Sequence, residues 1–162
     1  MFIADALAMP VHWYYNPHDI GKAFPGGVTK FEAAPAYHPS SIMSLHSTSK
    51  GGRGGQASGG TQREIVGEVI LKGKRVYWGQ PNQHYHRGMS AGENTLNAHC
   101  ARVVMRSLRA TGGHYEKGLF LDDYISFMTA DPPLHPDTYA ESYHRGFSPT
   151  WRAGKRKIVA EP

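Results

Sequence analysis

The chain has 162 residues, a single cysteine and a formal net charge of +5. That length suits one domain, the lone Cys100 excludes an intramolecular disulfide and favours a reducing compartment, and no stretch approaches the ~20 apolar residues of a membrane span. The apolar N-terminus contains Asp5 and lacks the basic leader of a signal peptide. We therefore expect a cytoplasmic protein with no membrane partner.

The first predicted element is a helix over FIADALAM, residues 2–9, which Pro10 discourages from continuing. A Gly/Ser-rich stretch follows within residues 35–60, and we expect residues 49–60 to form a mobile loop. The next segment, EIVGEVILKGKRVYW at residues 64–78, fits either a hairpin or a helix over residues 62–71 followed by a turn. Hydrophobic periodicity cannot separate these two structures at this length.

The clearest helical pattern starts at Thr95 and ends at a Gly-Gly pair at residues 112–113. Its apolar positions recur at helical spacing: Leu96, Cys100, Val103, Val104 and Leu108. A second helix is predicted over residues 118–129, and a third near Thr138, where Thr138 and Glu141 fit a capping box. The chain is thus expected to be mainly α, with long Gly-rich loops.

The stretch GENT, residues 92–95, stands at the start of the clearest helix. Asn94 or Thr95 can cap that helix, and Glu93 suits the positive end of its dipole. The same oxygens could instead serve as ligands of Mg²⁺, although the helix cap is the favoured interpretation. Asp5 interrupts an apolar helix, and a buried carboxylate needs partners. Asp5 could orient a backbone or face a polar pocket, and the sequence leaves both roles open.

Other familiar sites are not indicated by the sequence. The ten histidines include His84 and His86, but no cysteine pair accompanies them, so we interpret these as surface or loop residues and not as zinc ligands. Neither a phosphate-binding loop nor a serine hydrolase elbow is present. A nucleic-acid-binding segment of this type would need several RGG units and the loop contains one imperfect unit, so we do not expect a nucleic-acid partner.

Three segments together resemble the ADP-ribosylglycohydrolase family, which includes dinitrogenase-reductase-activating glycohydrolases and the J crystallins. IADALAMPVHW, residues 3–13, is similar to the family's first helix, with its Gly-Asp-Ala pattern. GMSAGENTLNAHCARVVMRSL, residues 88–108, is similar to the helix that usually opens with Thr-Asp-Asp-Thr. DDYISFMTADPPLHPDTYAESYHRGF, residues 122–147, resembles the tyrosine-rich helical pair that follows. The resemblance touches most of residues 2–153.

The resemblance implies an all-α domain that hydrolyses the glycosidic bond of an ADP-ribosylated protein or of a small ADP-ribose conjugate, with Mg²⁺ or Mn²⁺ as cofactor. Residue by residue, it assigns catalysis to Glu93, metal ligation to Glu93, Asn94 and Thr95, and substrate binding to Asp5 and His12. Three positions depart from Thr-Asp-Asp-Thr: Gly92 offers no ligand, Glu93 keeps a carboxylate that is one methylene longer, and Asn94 offers only a neutral oxygen.

A further departure concerns the domain itself. Residues 1–156 resemble an incomplete ADP-ribosylglycohydrolase-like helical bundle, residues 157–162 form a divergent tail, and the family's later Asp-x-Asp-Thr motif is not found. We therefore expect metal binding to be weak or absent and hydrolysis to be impaired. The alternative is a non-catalytic protein, either an ADP-ribose-binding module or a structural, crystallin-like protein.

Overall fold

The computed structural model of the protein describes residues 1–41, 43 and 65–146. The predicted mobile loop at residues 49–60 and the divergent tail at residues 157–162 lie outside these described residues. The boundary predicted at residue 156 lies outside them as well.

Helices dominate the described residues. Helix α1 spans Phe2–Ala8 and runs into a 3-10 turn at Met9–Val11, and α2 spans Pro17–Ala23. The two longest helices are α3, Leu96–Ala110, and α4, Lys117–Thr129, and a last helical turn covers residues 142–146. Between residues 1 and 146, leaving out the undescribed gap, β pairing is limited to two isolated bridges. The prediction of a mainly α chain is confirmed.

Local sequence explains the short helices. Pro10 stands inside the 3-10 turn that follows α1, where its missing N–H removes a helical hydrogen bond. Helix α2 begins with Pro17 at its first position, and the side chain of Asn16 accepts a hydrogen bond from the backbone N–H of His18. Asn16 is thus the N-cap of α2, with Pro17 at the first helical position.

The segment from Ile65 to Leu71 adopts neither a hairpin nor the predicted helix over residues 62–71. Its helical residues are limited to one distorted turn, Ile65–Glu68, in which Val66 is extended and Gly67 has a φ of +94°. Five of its apolar side chains are buried: Ile65, Val66, Val69, Ile70 and Leu71. Because its apolar side chains point to all sides and are buried, their spacing matches neither the helical nor the strand period.

Helices α3 and α4 pack on this buried segment. Leu96 and Val103 of α3, and Phe127 and Met128 of α4, belong to the same apolar core as Ile70. The predicted third helix starts later than expected, at residue 142 and not near residue 138. No described helix is both long and apolar enough to cross a membrane.

The late start of the last helical turn has a tertiary cause. The hydroxyl of Thr138 donates to the carbonyl of Tyr85 at 2.9 Å, and the backbone N–H of Tyr139 donates to Asp137 at 3.0 Å. These bonds hold residues 137–139 outside any helix, so Thr138 does not cap one. The predicted capping box between Thr138 and Glu141 is therefore wrong.

Candidate functional site

The carboxylate of Asp5 joins the first helix to the start of α3. The hydroxyl of Thr95 donates to Oδ1 of Asp5 at 2.6 Å, and the backbone N–H of Thr95 donates to Oδ2 at 2.9 Å. The side-chain amide of Asn94 also donates to Oδ2, at 3.0 Å. Of the two roles open to Asp5, the structure shows the first, the orientation of a distant backbone. We call Asp5, Asn94 and Thr95 the Asp5 corner.

The other oxygens of GENT are engaged as well. The amide oxygen of Asn94 accepts from the guanidinium of Arg102 at 2.9 Å, and its amide nitrogen also donates to the carbonyl of Phe2 at 2.7 Å. Glu93 accepts from the backbone N–H of Ser90 at 2.6 Å, while its own N–H donates to the carbonyl of Ser90 at 3.2 Å. Glu93 therefore closes its own turn and makes no hydrogen bond to Asp5.

Two aspartates from outside the helix satisfy the first N–H groups of α3. Thr95 is the N-cap residue, but its side chain accepts no capping hydrogen bond. Asp5 accepts from the N–H of Thr95, and Asp137 accepts from the N–H of Leu96 at 2.7 Å. The predicted N-cap position is confirmed at Thr95, but the prediction that Asn94 or Thr95 caps the helix with its own side chain is wrong, because the acceptors come from distant segments. Two carboxylates at the positive end of the dipole stabilise the helix start.

Asp137 begins a buried chain of hydrogen bonds that ends at His12. Oδ1 of Asp137 lies 2.8 Å from Nδ1 of His86, and Nε2 of His86 lies 3.0 Å from Nδ1 of His12. Asp137 is 1% exposed and His86 2% exposed, whereas His12 is half-buried. We call these three residues the Asp137–His86–His12 relay.

Burial and pairing act against each other on the pKa values of the relay. Burial alone would lower the pKa of His86, but the carboxylate of Asp137 outweighs it and holds that pKa above its usual 6.5. Burial would raise the pKa of Asp137, but the His86 imidazole and two backbone N–H groups hold it below 3.8. Burial, followed by the charge of His86, lowers the pKa of His12 to about 4. His12 is therefore a neutral imidazole at neutral pH.

Further histidines fix the backbone around His12. Nε2 of His38 lies 2.9 Å from the carbonyl of His12, and Nε2 of His84 lies 3.0 Å from the carbonyl of Pro10. His38 and His84 are fully buried, and His86 is nearly so. His84 and His86 are therefore loop residues, as predicted, but they are buried and do not lie at the surface. The imidazoles of His38 and His84 satisfy carbonyls in and just after the 3-10 turn that follows α1, which no continuing helix satisfies.

This arrangement can hold a polar ligand group at His12. Its imidazole donates or accepts a hydrogen bond according to the tautomer that His86 imposes. The exposed ring of Trp13 follows directly in the chain, and its positive φ of 65° is uncommon for a bulky residue. Small-molecule sites combine aromatic side chains with a few polar groups, and His12 and Trp13 supply one of each.

The Asp5 corner fits a divalent cation poorly as it is arranged. Both carboxylate oxygens of Asp5 accept hydrogen bonds, and the oxygen of Asn94 already faces a guanidinium. In the described part of the chain, no three His, Cys, Asp or Glu side chains form a group that could hold a metal ion. Mg²⁺ would have to displace Arg102 and break the bonds that position Thr95.

The predicted site residues are brought together only in part. Asp5, Asn94 and Thr95 form one hydrogen-bonded corner, and His12 lies at the end of the relay, whereas Glu93 turns towards Ser90. Comparison of the chain with protein-family models, with curated proteins and with solved structures gives no match in any of the three.

Sequence reasoning missed Asp137 and His86. The signals available for them were the His-x-His spacing around Tyr85 and a lone Asp inside an otherwise uncharged stretch, residues 132–140.

Proposed function

We propose that this chain is an ADP-ribosylglycohydrolase-like domain that binds an ADP-ribose conjugate beside His12, with its hydrolytic activity impaired. The ligand would be an ADP-ribosylated protein or a small ADP-ribose conjugate. His12 would contact its ribose hydroxyls, and Asp5 would act indirectly by positioning the start of α3.

The observation that carries the proposal is the meeting of two segments on which the resemblance rests. Asp5 lies in the first of them and Thr95 in the second, 90 positions later, and three hydrogen bonds join the corner. The third segment reaches the same place, because Asp137 accepts from the N–H of Leu96. A chance likeness of three separate stretches would not require their polar residues to converge.

Impaired hydrolysis follows from the bonding of the corner. Metal-dependent hydrolysis needs a divalent ion held rigidly enough to position water and substrate. Glu93, Asn94 and Thr95 remain the proposed metal ligands, yet their oxygens are engaged with Ser90, Arg102 and Asp5. We expect Mg²⁺ or Mn²⁺ to bind with a Kd of about a millimolar or weaker, equivalent to roughly −4 kcal/mol.

The second candidate is a domain that only binds ADP-ribose and has no hydrolytic activity. It is favoured by the hydrogen bond between Arg102 and Asn94, because the guanidinium cation occupies the oxygen that a metal ion would need. The two candidates share the same binding site and differ in turnover.

The test is calorimetric titration of ADP-ribose into the protein, together with assays of hydrolysis on ADP-ribosylated arginine, ADP-ribosylated serine and O-acyl-ADP-ribose with Mg²⁺ or Mn²⁺. His12→Gln should weaken binding about tenfold or more, while His18→Gln, at an exposed histidine on α2, should leave it unchanged. Slow metal-dependent turnover supports the first candidate, and binding that His12→Gln weakens, without turnover, supports the second. Absence of ADP-ribose binding would reject both.

A further inference from the structure

A basic groove runs along the outer side of α3, on a different group of residues from the relay. It has a volume of about 580 Å³ and is lined by His99, Arg102, Met105, Arg106, Arg109, Phe127 and Leu134. The α3 residues recur at helical spacing, so they form one stripe on one face of the helix. We call this site the α3 groove. Its volume lies within the roughly 300–1,000 Å³ of typical ligand sites.

The cations of the α3 groove differ in what they already bind. Arg102 donates to Asn94 at 2.9 Å and lies 4.6 Å from the centre of the Phe2 ring, so the Asp5 corner holds it in place. Arg106 and Arg109 are exposed, and neither forms an ion pair with any residue of the described chain. No carboxylate lines the groove. Two guanidinium groups are therefore available to an anion.

The opposite wall of the groove is aromatic and apolar. Phe127 is a core residue, only 5% exposed, and its ring lies 6.3 Å from that of the half-buried His99 at an interplanar angle of 21°, so His99 provides the accessible aromatic surface. Leu134 is exposed beside them, and Met105 is exposed on α3. A planar heterocycle gains favourable contacts against such a surface, which a simple inorganic anion cannot use.

We propose that the α3 groove binds a nucleotide with adjacent phosphates, holding the phosphates at Arg106 and Arg109 and the base against His99 and Leu134. Three residues of helix rise about 4.5 Å, which lets neighbouring guanidinium groups contact two successive phosphates. The site is independent of the function proposed for His12. A nucleic acid is disfavoured, because extended duplex binding commonly uses about 6–10 phosphate contacts and the groove offers three arginines.

The test is calorimetric titration of ADP, pyrophosphate and adenosine separately into the full chain at low and moderate salt. ADP should bind more tightly than pyrophosphate, and pyrophosphate more tightly than adenosine, because the site has both an anionic and an aromatic half. Arg106→Gln and Arg109→Gln should each weaken ADP binding about tenfold. Arg87→Gln, an exposed arginine outside the groove, is the matched control and should leave it unchanged.

Several outcomes would overturn the nucleotide site. Equal affinity for ADP and pyrophosphate would reduce it to an anion site without base recognition. Tighter binding of a single-stranded oligonucleotide than of ADP, increasing with its length, would assign the groove to nucleic acid. No ADP binding, or ADP binding unaffected by both arginine substitutions, would remove it altogether. His12→Gln should leave ADP binding intact, so failure here is distinguishable from failure of the function proposed above.

Discussion

The strongest prediction on stability concerns Asp137→Asn. In the native protein, Oδ1 of Asp137 serves His86 and the N–H of Tyr139, while Oδ2 serves the N–H of Leu96. An asparagine keeps one side-chain oxygen, and its amide NH2 group, itself a donor, faces the other hydrogen-bond donor. The substitution therefore leaves at least one buried donor unsatisfied and removes the charge that pairs with His86.

The size of the effect follows from burial. An unsatisfied buried donor costs about 1–3 kcal/mol, and breaking a buried ion pair by removing one partner costs about 3–5 kcal/mol. These costs overlap, because one carboxylate provides both interactions. We expect Asp137→Asn to lower the free energy of unfolding by about 3–5 kcal/mol. That is a large share of the roughly 5–15 kcal/mol of a typical domain.

The pH dependence of this loss has a definite direction. The lowered pKa of Asp137 gives stability above its unfolded value of 3.8, and that stability is lost as the pH falls through the folded pKa. The raised pKa of His86 gives stability below its unfolded value of 6.5, and that stability is lost as the pH rises through the folded pKa. The penalty of Asp137→Asn should therefore be largest between about pH 4 and 6.5.

The assay is urea unfolding at pH 6 for wild type, Asp137→Asn, His86→Gln and the double variant. The double variant should lose less than the sum of the single variants by about 1–3 kcal/mol, since the two residues share one interaction. Asp122→Asn, on the exposed side of α4, is the matched control and should change stability by less than about 0.5 kcal/mol. A loss below 1 kcal/mol for Asp137→Asn, or strict additivity, would refute the reasoning.

Three more predictions test the corner and the histidines. Asn94→Asp replaces a donor 3.0 Å from Asp5 with a second carboxylate. The free energy of unfolding should fall by about 1–3 kcal/mol, and millimolar Mg²⁺ should restore part of that loss. An equal rise in melting temperature with Mg²⁺ in the wild type would contradict this prediction. Gly92→Thr introduces a β-branched residue at a φ of +84° and should cost about 1–3 kcal/mol in chemical unfolding; no loss would show that the turn relaxes freely. His12 and His84 have pKa values of about 4 and about 3, against 6.5 in the unfolded chain, so both stay neutral in the fold. Each of these histidines should therefore lower the free energy of unfolding by about 1.4 kcal/mol per pH unit as the pH falls below 6.5. Urea midpoints that stay constant from pH 7 to 4.5 would contradict this prediction.

Elements whose cause is local were predictable from the sequence. Helix α3 repeats apolar residues at helical spacing over four turns, and its end at the Gly-Gly pair is equally local, so its bounds were close to those observed, Leu96–Ala110. Helix α1 was predicted over residues 2–9 and spans Phe2–Ala8, because Pro10 acts within the same segment. Confirmation of the mainly α chain rests on these helices.

Elements fixed by tertiary contacts were not predictable. The apolar residues among 65–71 are buried on all sides, so they show no helical or strand period. The last helical turn starts late because the hydroxyl of Thr138 donates to the carbonyl of the distant Tyr85. The partners of His86 lie 51 and 74 positions away. A sequence shows that Asp5 needs a partner, but it cannot show that the partner is Thr95. That the oxygens of Asp5 and Asn94 accept hydrogen bonds from Thr95, Asn94 and Arg102 could be seen only in the structure.

The most direct test of the proposed function is a nitrogen-15 NMR titration of the full chain with ADP-ribose, following the backbone amides and the histidine ring nitrogens. A ligand held at His12 should shift the ring nitrogens of His12 and, through the relay, those of His86, together with the amides of Thr95 and Leu96, which Asp5 and Asp137 hold. His18 serves as the internal control and should not shift. Shifts confined to residues elsewhere, or an unchanged His12 ring at saturating ADP-ribose, would contradict the account.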